Sequence, residues 1–315
     1  MPNSVGRETS EPMPGIGFLG WAVLGLNENV VKTGEDIFAC VICYNPLTLV
    51  EDSFSMKKSA VKPNLECSTC KISYFSDEAY IDLTVSRAAK VHSKWMAIST
   101  EIFRNSLFPF IYERGYRNLF KYAGFPGLQK EAEMAMEYLK PVLGGNIVDA
   151  SCGSGLFSRW FTKSGMFSLV VALDFSEHML RQCYEFISQE KGISEEKLVL
   201  VRADISRLPF ASNSVDALHA GAGIHCWPSH SAAFSEISRV LRPGGVFVAT
   251  TFVLDGNSPD NPVARIILQG VAKFLRFQFP FSKLELEDLC RTCGMVGYTY
   301  VRNGAFIMFS ATKPT

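Results

Sequence analysis

The sequence lacks an excess of either charge: 31 lysines and arginines balance 31 aspartates and glutamates. A formal charge of zero excludes the broad basic footprint of a general nucleic-acid binder and leaves room only for a local patch. Long apolar runs are missing too. The stretch "GIGFLGWAVLGL" at 15–26 is shorter than the ~20 residues that a membrane-spanning helix needs. No basic leader stands before it, because Arg7 is offset by Glu8 and Glu11, so it reads as a poor secretory signal or transit peptide. Residues 1–35 take no assignment. Internal repeats and low-complexity tracts are absent, and the chain is read segment by segment. What is abundant is core material: 47% hydrophobic residues, with 24 phenylalanines, in 315 residues. That excludes global disorder and allows one large domain with a smaller module.

The nine cysteines are an odd number in a mid-sized chain, which does not read as a disulfide framework. "FACVIC" and "LECSTC" place Cys40, Cys43, Cys67 and Cys70 in two knuckles whose thiolates can meet tetrahedrally around Zn²⁺. Four sulfurs leave no open position for a substrate, so such a site is structural. Residues 36–85, which run on to the strand-like "AYIDLTV", therefore read as a zinc-ribbon-like module. Cys290 and Cys293 in "LCRTCG" fall in the last turn of a helix without a partner pair. Cys152, Cys183 and Cys226 read as small buried residues.

Residues 86–140 turn helical and aromatic, with Phe103, Phe108, Tyr112, Tyr116 and Phe120 broken up by Pro109 and Gly115. Two readings stay open for them. They cover the site as a lid, with Tyr112 and Tyr116 lining an apolar acceptor pocket, or they only bury one sheet face.

From 141 to 315 strands and helices alternate, the pattern of βαβ units on a mainly parallel sheet. Strands are predicted at 146–150, 168–174, 197–202, 215–220 and 245–252. Ser176 is the expected N-cap of a helix whose face carries Met179, Leu180, Cys183, Phe186 and Ile187. "FSEISRVL" is a second such helix, stopped by the breaker "RPGG". Ser282 and Glu285 form a capping box. Asn303-Gly304 between two β-rich runs predicts a closing hairpin, so the sheet ends on a reversed strand.

The richest chemical signal is "IVDASCGSGLFSRWF" at 147–161: a strand, a turn bearing Gly153 and Gly155, then a helix. Glycines there let the backbone approach a ligand, and the helix N-terminus favours polar or negative atoms. Asp174, at the end of the next strand, can take both hydroxyls of a ribose. Asp204 in "RADISRLPF" can accept from an adenine amino group. Asp149 lies four residues before the first glycine and would repel a pyrophosphate while attracting an ammonium or sulfonium. With the closing hairpin, these features point to S-adenosylmethionine rather than a dinucleotide.

Residues 141–315 resemble class I S-adenosylmethionine-dependent methyltransferases, in the group with the ubiquinone and menaquinone biosynthesis enzymes. The motifs are "VDASCGSG", "ALDFSEHML", "RADISRLPF", "SVDALHA" and "EISRVLRPGGVFVATTF". "DASCGSGLFSRWF", "HAGAGIHCWPS" and the Cys-paired module extend the resemblance over residues 36–315, to plant methyltransferases of the chloroplast and its lipid droplets. It implies an α/β Rossmann-like fold: a mainly parallel seven-stranded sheet closed by an antiparallel C-terminal hairpin, with a small N-terminal module. It also implies that Asp149, Ser151, Gly153 and Gly155 flank the methionine end, Asp174 the ribose, and Asp204 with Ile205 the adenine. Ser151 holds a slot that is often glycine in the wider superfamily. Location in the chloroplast, at the plastoglobule, and peripheral association with lipid droplets are implied in the same way; otherwise the chain would be cytoplasmic.

Methyl transfer to a nucleophile is an in-line displacement with a good leaving group, so alignment and water exclusion supply most of the acceleration. A base is needed only where the acceptor must lose a proton. His225, in "HAGAGIHCWPSH" at 219–230, is the candidate base, with lining the pocket as its alternative. His219 reads as a satisfied core residue, His230 as surface near a helix start, and Trp227 as a stacking surface for the acceptor or as packing. The expected acceptor is a small lipophilic aromatic molecule, such as a quinone or phenol. Two alternatives stand beside it: a ribosomal RNA guanine held through the zinc ribbon, with Lys57, Lys58, Lys62 and Lys71 in its favour, and a non-catalytic scaffold on plastid lipid droplets.

Overall fold

The computed structural model describes residues 37–50, 64–76, 78–85, 120–253 and 282–315. Tyr112 and Tyr116, the other aromatic residues of the expected lid before 120, and Lys57, Lys58 and Lys62 lie outside the described residues.

Two sheets are present among the described residues. A small antiparallel one joins β1 (Leu47–Val50), β2 (Asn64–Cys67) and β3 (Ser73–Tyr74). The large one has eight strands. Its members are β4 (Ile81–Asp82), β5 (Asn146–Ala150), β6 (Leu169–Asp174), β7 (Leu198–Arg202), β8 (Val215–Gly221), β9 (Leu241–Phe252), β10 (Val296–Asn303) and β11 (Phe306–Thr312). Their order is β10-β11-β9-β8-β5-β6-β7-β4, and all run in one direction except β11, which is antiparallel to both its neighbours, β9 and β10. The expected seven strands are therefore all there, and the Cys-paired module adds an eighth: β4 runs parallel to β7, pairing Ile81 with Val201 and Asp82 with Arg202.

The central strands are buried on both faces, as β6 and β7 show along nearly their whole length, because helices cover both sides. Helices α1 (Leu128–Leu139), α2 (Leu156–Ser164) and α3 (Glu177–Gln189) share one apolar cluster with the sheet. Helices α4 (His230–Val240) and α5 (Lys283–Thr292) share the other, and the Cys module contributes Phe38, Leu47, Leu65 and Cys67 to that same cluster. Ser176, Ser229 and Ser282 cap α3, α4 and α5 through their hydroxyls, as local sequence dictates.

Two boundaries differ from the sequence reading. The hairpin loop is Gly304-Ala305, one residue later than Asn303-Gly304, because Asn303 pairs with Phe306. Only Gly304 has positive φ (59°), which suits a turn needing glycine at its first central position. The Asn303 amide is used elsewhere, donating to the Gly124 carbonyl at 2.8 Å. "RPGG" does not precede β9 but lies inside it: Leu241 pairs with Val215, and pairing resumes at Val246 with Ala217 after a bulge. Gly244 takes a φ of 78° there.

The order of strands changes direction between β5 and β8, whose chain neighbours lie on opposite sides. In open α/β sheets the crevice outside the carboxyl ends of such strands is the ligand site. Both the glycine turn after β5 and the loop after β8 open into it.

Candidate active site

After Ala150 the chain turns through Ser151–Gly155 into α2. Three of these residues are left-handed: Ser151 (φ 58°), Gly153 (57°) and Gly155 (82°). Glycine takes this conformation freely, whereas a residue with a Cβ loses about 1–2 kcal/mol. For Ser151 the loss is offset by a hydrogen bond, since its Oγ accepts from the Trp227 indole N–H at 2.9 Å. Gly223 makes room for that pair: a Cβ there would lie 2.8 Å from the Ser151 Cβ. Gly155 serves packing, because a Cβ on it would overlap the Cys183 sulfur on α3.

Asp174, ending β6, holds the turn in place. Its Oδ2 accepts from the Gly153 N–H at 2.9 Å and its Oδ1 from the Ser176 N–H at 2.8 Å. Burial raises its pKa above the ordinary carboxylate value, the backbone N–H groups of Ser176 and Gly153 oppose that, and the charge of Asp149 adds to it. A half-buried carboxylate in that state gains from a cationic or hydroxyl-bearing ligand. With the Ser176, Gly153 and Phe175 N–H groups on it, the carboxylate keeps room for a further donor.

Asp149 is turned inward. Its Oδ1 meets the His219 Nδ1 at 2.8 Å and its Oδ2 accepts from the Ser158 hydroxyl at 2.5 Å. The residue is 1% exposed, with both carboxylate oxygens engaged within the protein. His219 is its register partner across β5 and β8. The imidazole is a core residue, as expected, packed on Phe157 and Phe161 with ring centroids 4.5 and 5.1 Å away. Its Nε2 has no hydrogen-bond partner among the described residues, so only one end of the ring is satisfied.

The loop after β8 carries a 3-10 turn, Ile224–Cys226. His225 within it is buried, and burial lowers its pKa to about 3, with the nearby His230 as a smaller cause. The imidazole is therefore neutral at physiological pH, and a base this weak takes little proton from a phenol. Its ring meets Phe252 edge-on at 5.2 Å, beside a cluster of Phe120, Phe125 and Phe306. Trp227 is 3% exposed, its N–H bound to Ser151 and its ring against Phe234. It is a strut between two loops rather than an open stacking surface. His230 stands at the start of α4, its Nε2 3.0 Å from the Ile224 carbonyl.

After β7, Asp204 and Ile205 form a tight turn: Asp204 Oδ1 accepts from the Ser206 N–H at 2.8 Å, and Ile205 is buried. The carboxyl ends of β5, β6, β7 and β8 thus bring together Ser151, Gly153, Gly155, Asp174, Asp204, Ile205 and His225.

The four expected metal ligands also meet. One ligand atom from each of Cys40, Cys43, Cys67 and Cys70 lies within 4.8 Å of the others, and no other such group of four cysteines occurs among the described residues. Cys43 and Cys67 sulfurs are 3.5 Å apart. The two knuckles match: Tyr44 and Lys71, each directly after its pair, are left-handed and donate N–H to the Cys40 and Cys67 carbonyls, both at 2.8 Å. Cys290 and Cys293 stay apart from this group.

Sequence reasoning missed His219 as the partner of Asp149, and Gly223 and Ser151 as the seat of Trp227. Strand alignment could have found the first, because parallel neighbours in register carry their side chains on one face. It also missed Arg202 and Arg207. Both join the Cys module to the loops after β6 and β7 across more than a hundred residues of sequence.

Comparison with known proteins agrees with this geometry. Residues 148–249 match the family described as "Methyltransferase domain". An Arabidopsis thaliana protein described as an uncharacterised chloroplastic methyltransferase is 56% identical over 89% of this chain and 80% of its own. Demethylmenaquinone methyltransferase of Staphylococcus aureus is 35% identical over 45% of this chain and 54% of its own. Among solved structures, phosphoethanolamine N-methyltransferase 2 of Haemonchus contortus, in complex with phosphomonomethylethanolamine and S-adenosylhomocysteine, shares the fold. Its TM-score is 0.55 at 16% identity, covering 68% of this chain and 60% of that one. By the strand order, the glycine turn and the extent of these likenesses, the chain belongs to the class I S-adenosylmethionine-dependent methyltransferases.

Proposed function

We propose that the enzyme transfers the methyl group of S-adenosylmethionine to a small lipophilic aromatic acceptor of the quinone or phenol kind, within the chloroplast. The observation that carries the acceptor class is Phe252 at the carboxyl end of β9: its half-buried ring is backed by the buried rings of Phe120 and Phe125, with Phe306 behind them, and meets the neutral ring of His225 edge-on. A partly open aromatic ring on an apolar backing favours a flat apolar molecule over a charged one. The similarity to demethylmenaquinone methyltransferase supports the same class, and the name of the Arabidopsis relative supports the compartment. Peripheral association with plastid lipid droplets would bring acceptor and enzyme together. No helix among the described residues is long and apolar enough to cross a membrane.

In this reading the turn Ser151–Gly155 faces the methionine end, Asp174 accepts from the ribose hydroxyls, and Asp204 with Ile205 holds the adenine. Asp149, backed by His219 and Ser158, adds negative potential beneath the turn. The bound cofactor supplies a methyl group on a cationic sulfur. The protein's work is to align an acceptor with it and keep water out. His225 acts as a neutral hydrogen-bonding group on the acceptor side, and deprotonation of a phenol is left to its own acidity. Tyr112 and Tyr116 are proposed to complete the pocket.

We further propose structural Zn²⁺ on Cys40, Cys43, Cys67 and Cys70. The donor set fits: tetrahedral Zn–S bonds of about 2.3 Å need sulfurs about 3.8 Å apart, inside the spread found here. Backbone and amide donors to sulfur, such as Ile42 N–H to Cys40 at 3.4 Å and Cys70 N–H to Cys67 at 3.3 Å, suit thiolates.

The test is incubation of the enzyme with methyl-labelled S-adenosylmethionine and, separately, chloroplast lipid extract and total RNA. Label in an extractable aromatic lipid supports the proposal. Label in RNA alone would replace it with the guanine reading, and label in neither, despite tight cofactor binding, would favour the scaffold.

A further inference from the structure

The Cys module is not appended to the sheet at a neutral place. It reaches the two loops that follow β6 and β7, the first through Asp82 on β4 and the second from the residues of the metal knuckle itself. Arg207 stands two residues after Ile205. Its guanidinium donates to the carbonyls of Val41 and Ile42, the second at 3.0 Å. These are the two residues between Cys40 and Cys43. Pro209 accepts from the Ala39 N–H at 2.9 Å, and Ala211 donates to the Ile37 carbonyl at 2.8 Å, so the loop is laced to the knuckle on both sides of Phe210. Tyr44, directly after the first pair, lies under the guanidinium groups of Arg207 and Arg239.

A second arm reaches the loop after β6. Asp82 on β4 pairs with Arg202 at 2.8 Å, and both are well shielded. Arg202 in turn donates to the Phe175 carbonyl at 3.2 Å, lies over the Phe175 ring and pairs with Glu177 at 3.1 Å. Phe175 is the residue after Asp174. One side of the cofactor crevice is therefore built on the module.

We infer that the four-cysteine metal site and the loops carrying Asp174 and Asp204–Ile205 form one coupled unit, in which metal binding tightens S-adenosylmethionine binding. The inference rests on the four-thiolate reading above. The physical link is the position of the Val41 and Ile42 carbonyls. A bound ion fixes the Cys40–Cys43 turn, the turn fixes Arg207, and Arg207 fixes the loop that follows β7. Without the ion, four sulfurs have no common centre and the turn keeps only its backbone hydrogen bonds, such as Tyr44 N–H to the Cys40 carbonyl, to hold its ends together. Linkage makes the effect reciprocal: whatever the metal adds to cofactor affinity, the cofactor adds to metal affinity. A ribbon that only stabilised its own fold would show neither effect.

The experiment uses the full chain. Elemental analysis first fixes the zinc content. Calorimetric titration with S-adenosylhomocysteine then compares the zinc-loaded chain with the chain stripped by chelator under reducing conditions, and zinc release to a colorimetric chelator is timed with and without the ligand. Stripping is expected to weaken ligand binding about tenfold, within the usual span of coupled sites, and saturating ligand to slow zinc release by a similar factor. Arg207→Gln, which removes no sulfur, is expected to keep one zinc per chain, bind the ligand as weakly as the stripped chain, and abolish the slowing of release. This variant keeps the test sound should stripping unfold the module. One zinc per chain with equal ligand affinity in stripped, loaded and Arg207→Gln protein would overturn the coupling and leave the metal site standing. Absence of zinc would overturn both.

Discussion

Ser151 is where the geometry makes the sharpest quantitative demand. It is a left-handed residue with a Cβ, φ 58°, whose hydroxyl accepts the buried Trp227 N–H at 2.9 Å. Replacing it by alanine keeps the strain and orphans the indole N–H, at a cost of about 1–3 kcal/mol. Replacing it by glycine orphans the same group but recovers about 1–2 kcal/mol of backbone strain. The two variants should therefore differ by about 1–2 kcal/mol in favour of glycine, with alanine the less stable. Trp227→Phe isolates the terms. In that background no N–H remains to be orphaned, so Ser151→Ala should be nearly neutral and Ser151→Gly stabilising by about 1 kcal/mol. Urea unfolding followed by circular dichroism, on all six proteins of the cycle, reads these differences as midpoint shifts. Equal stability of the alanine and glycine variants would refute the strain. An undiminished cost of Ser151→Ala in the Trp227→Phe background would refute the hydrogen bond.

Three further expectations follow from the site. Asp174→Ala should weaken cofactor binding by about 1.5–3 kcal/mol, since it removes the acceptor proposed for the ribose and loosens the Gly153 N–H; calorimetry showing unchanged affinity would remove Asp174 from the site. Because burial raises the Asp174 pKa, its charge is lost as pH falls through that raised value, so affinity for the cationic cofactor should decline there sooner than an ordinary carboxylate would dictate; a flat titration in that range would contradict it. His225, depressed to about 3, contributes stability above its unfolded pKa that is lost as pH falls towards the folded one, so His225→Phe should flatten the loss of stability between about pH 6.5 and about pH 3. Equal acid sensitivity of variant and parent, by urea midpoint, would show that the ring is not buried neutral.

Much of this fold was written in local pattern. The strands at β5 to β9 are short apolar runs between turns, and Ser176 and Ser282 announce their helices because a hydroxyl before an apolar period has one obvious use. The glycine turn was legible for the same reason. What was not legible depends on distance in sequence. Asp149 looks like a ligand-facing acid until β8 is set beside β5, whereupon His219 claims one oxygen. Asn303 looks like half a turn until its amide is seen to hold Gly124. Trp227 looks like a platform until Ser151 takes its N–H. That the strand-like "AYIDLTV" joins the large sheet as an eighth strand was not legible, because only Ile81 and Asp82 pair there and their partners lie 120 positions on. Nor could spacing show that the module shares an apolar cluster with α4 and α5 instead of folding by itself.

The most direct measurement is a structure of the enzyme with S-adenosylhomocysteine bound. The account predicts the ligand in the crevice between β5 and β8, its ribose hydroxyls within hydrogen-bond distance of Asp174, its adenine beside Asp204 and Ile205, and its sulfur directed towards His225 and Phe252. A ligand seated elsewhere, or a crevice at Ser151–Gly155 filled by side chains of this chain, would contradict it.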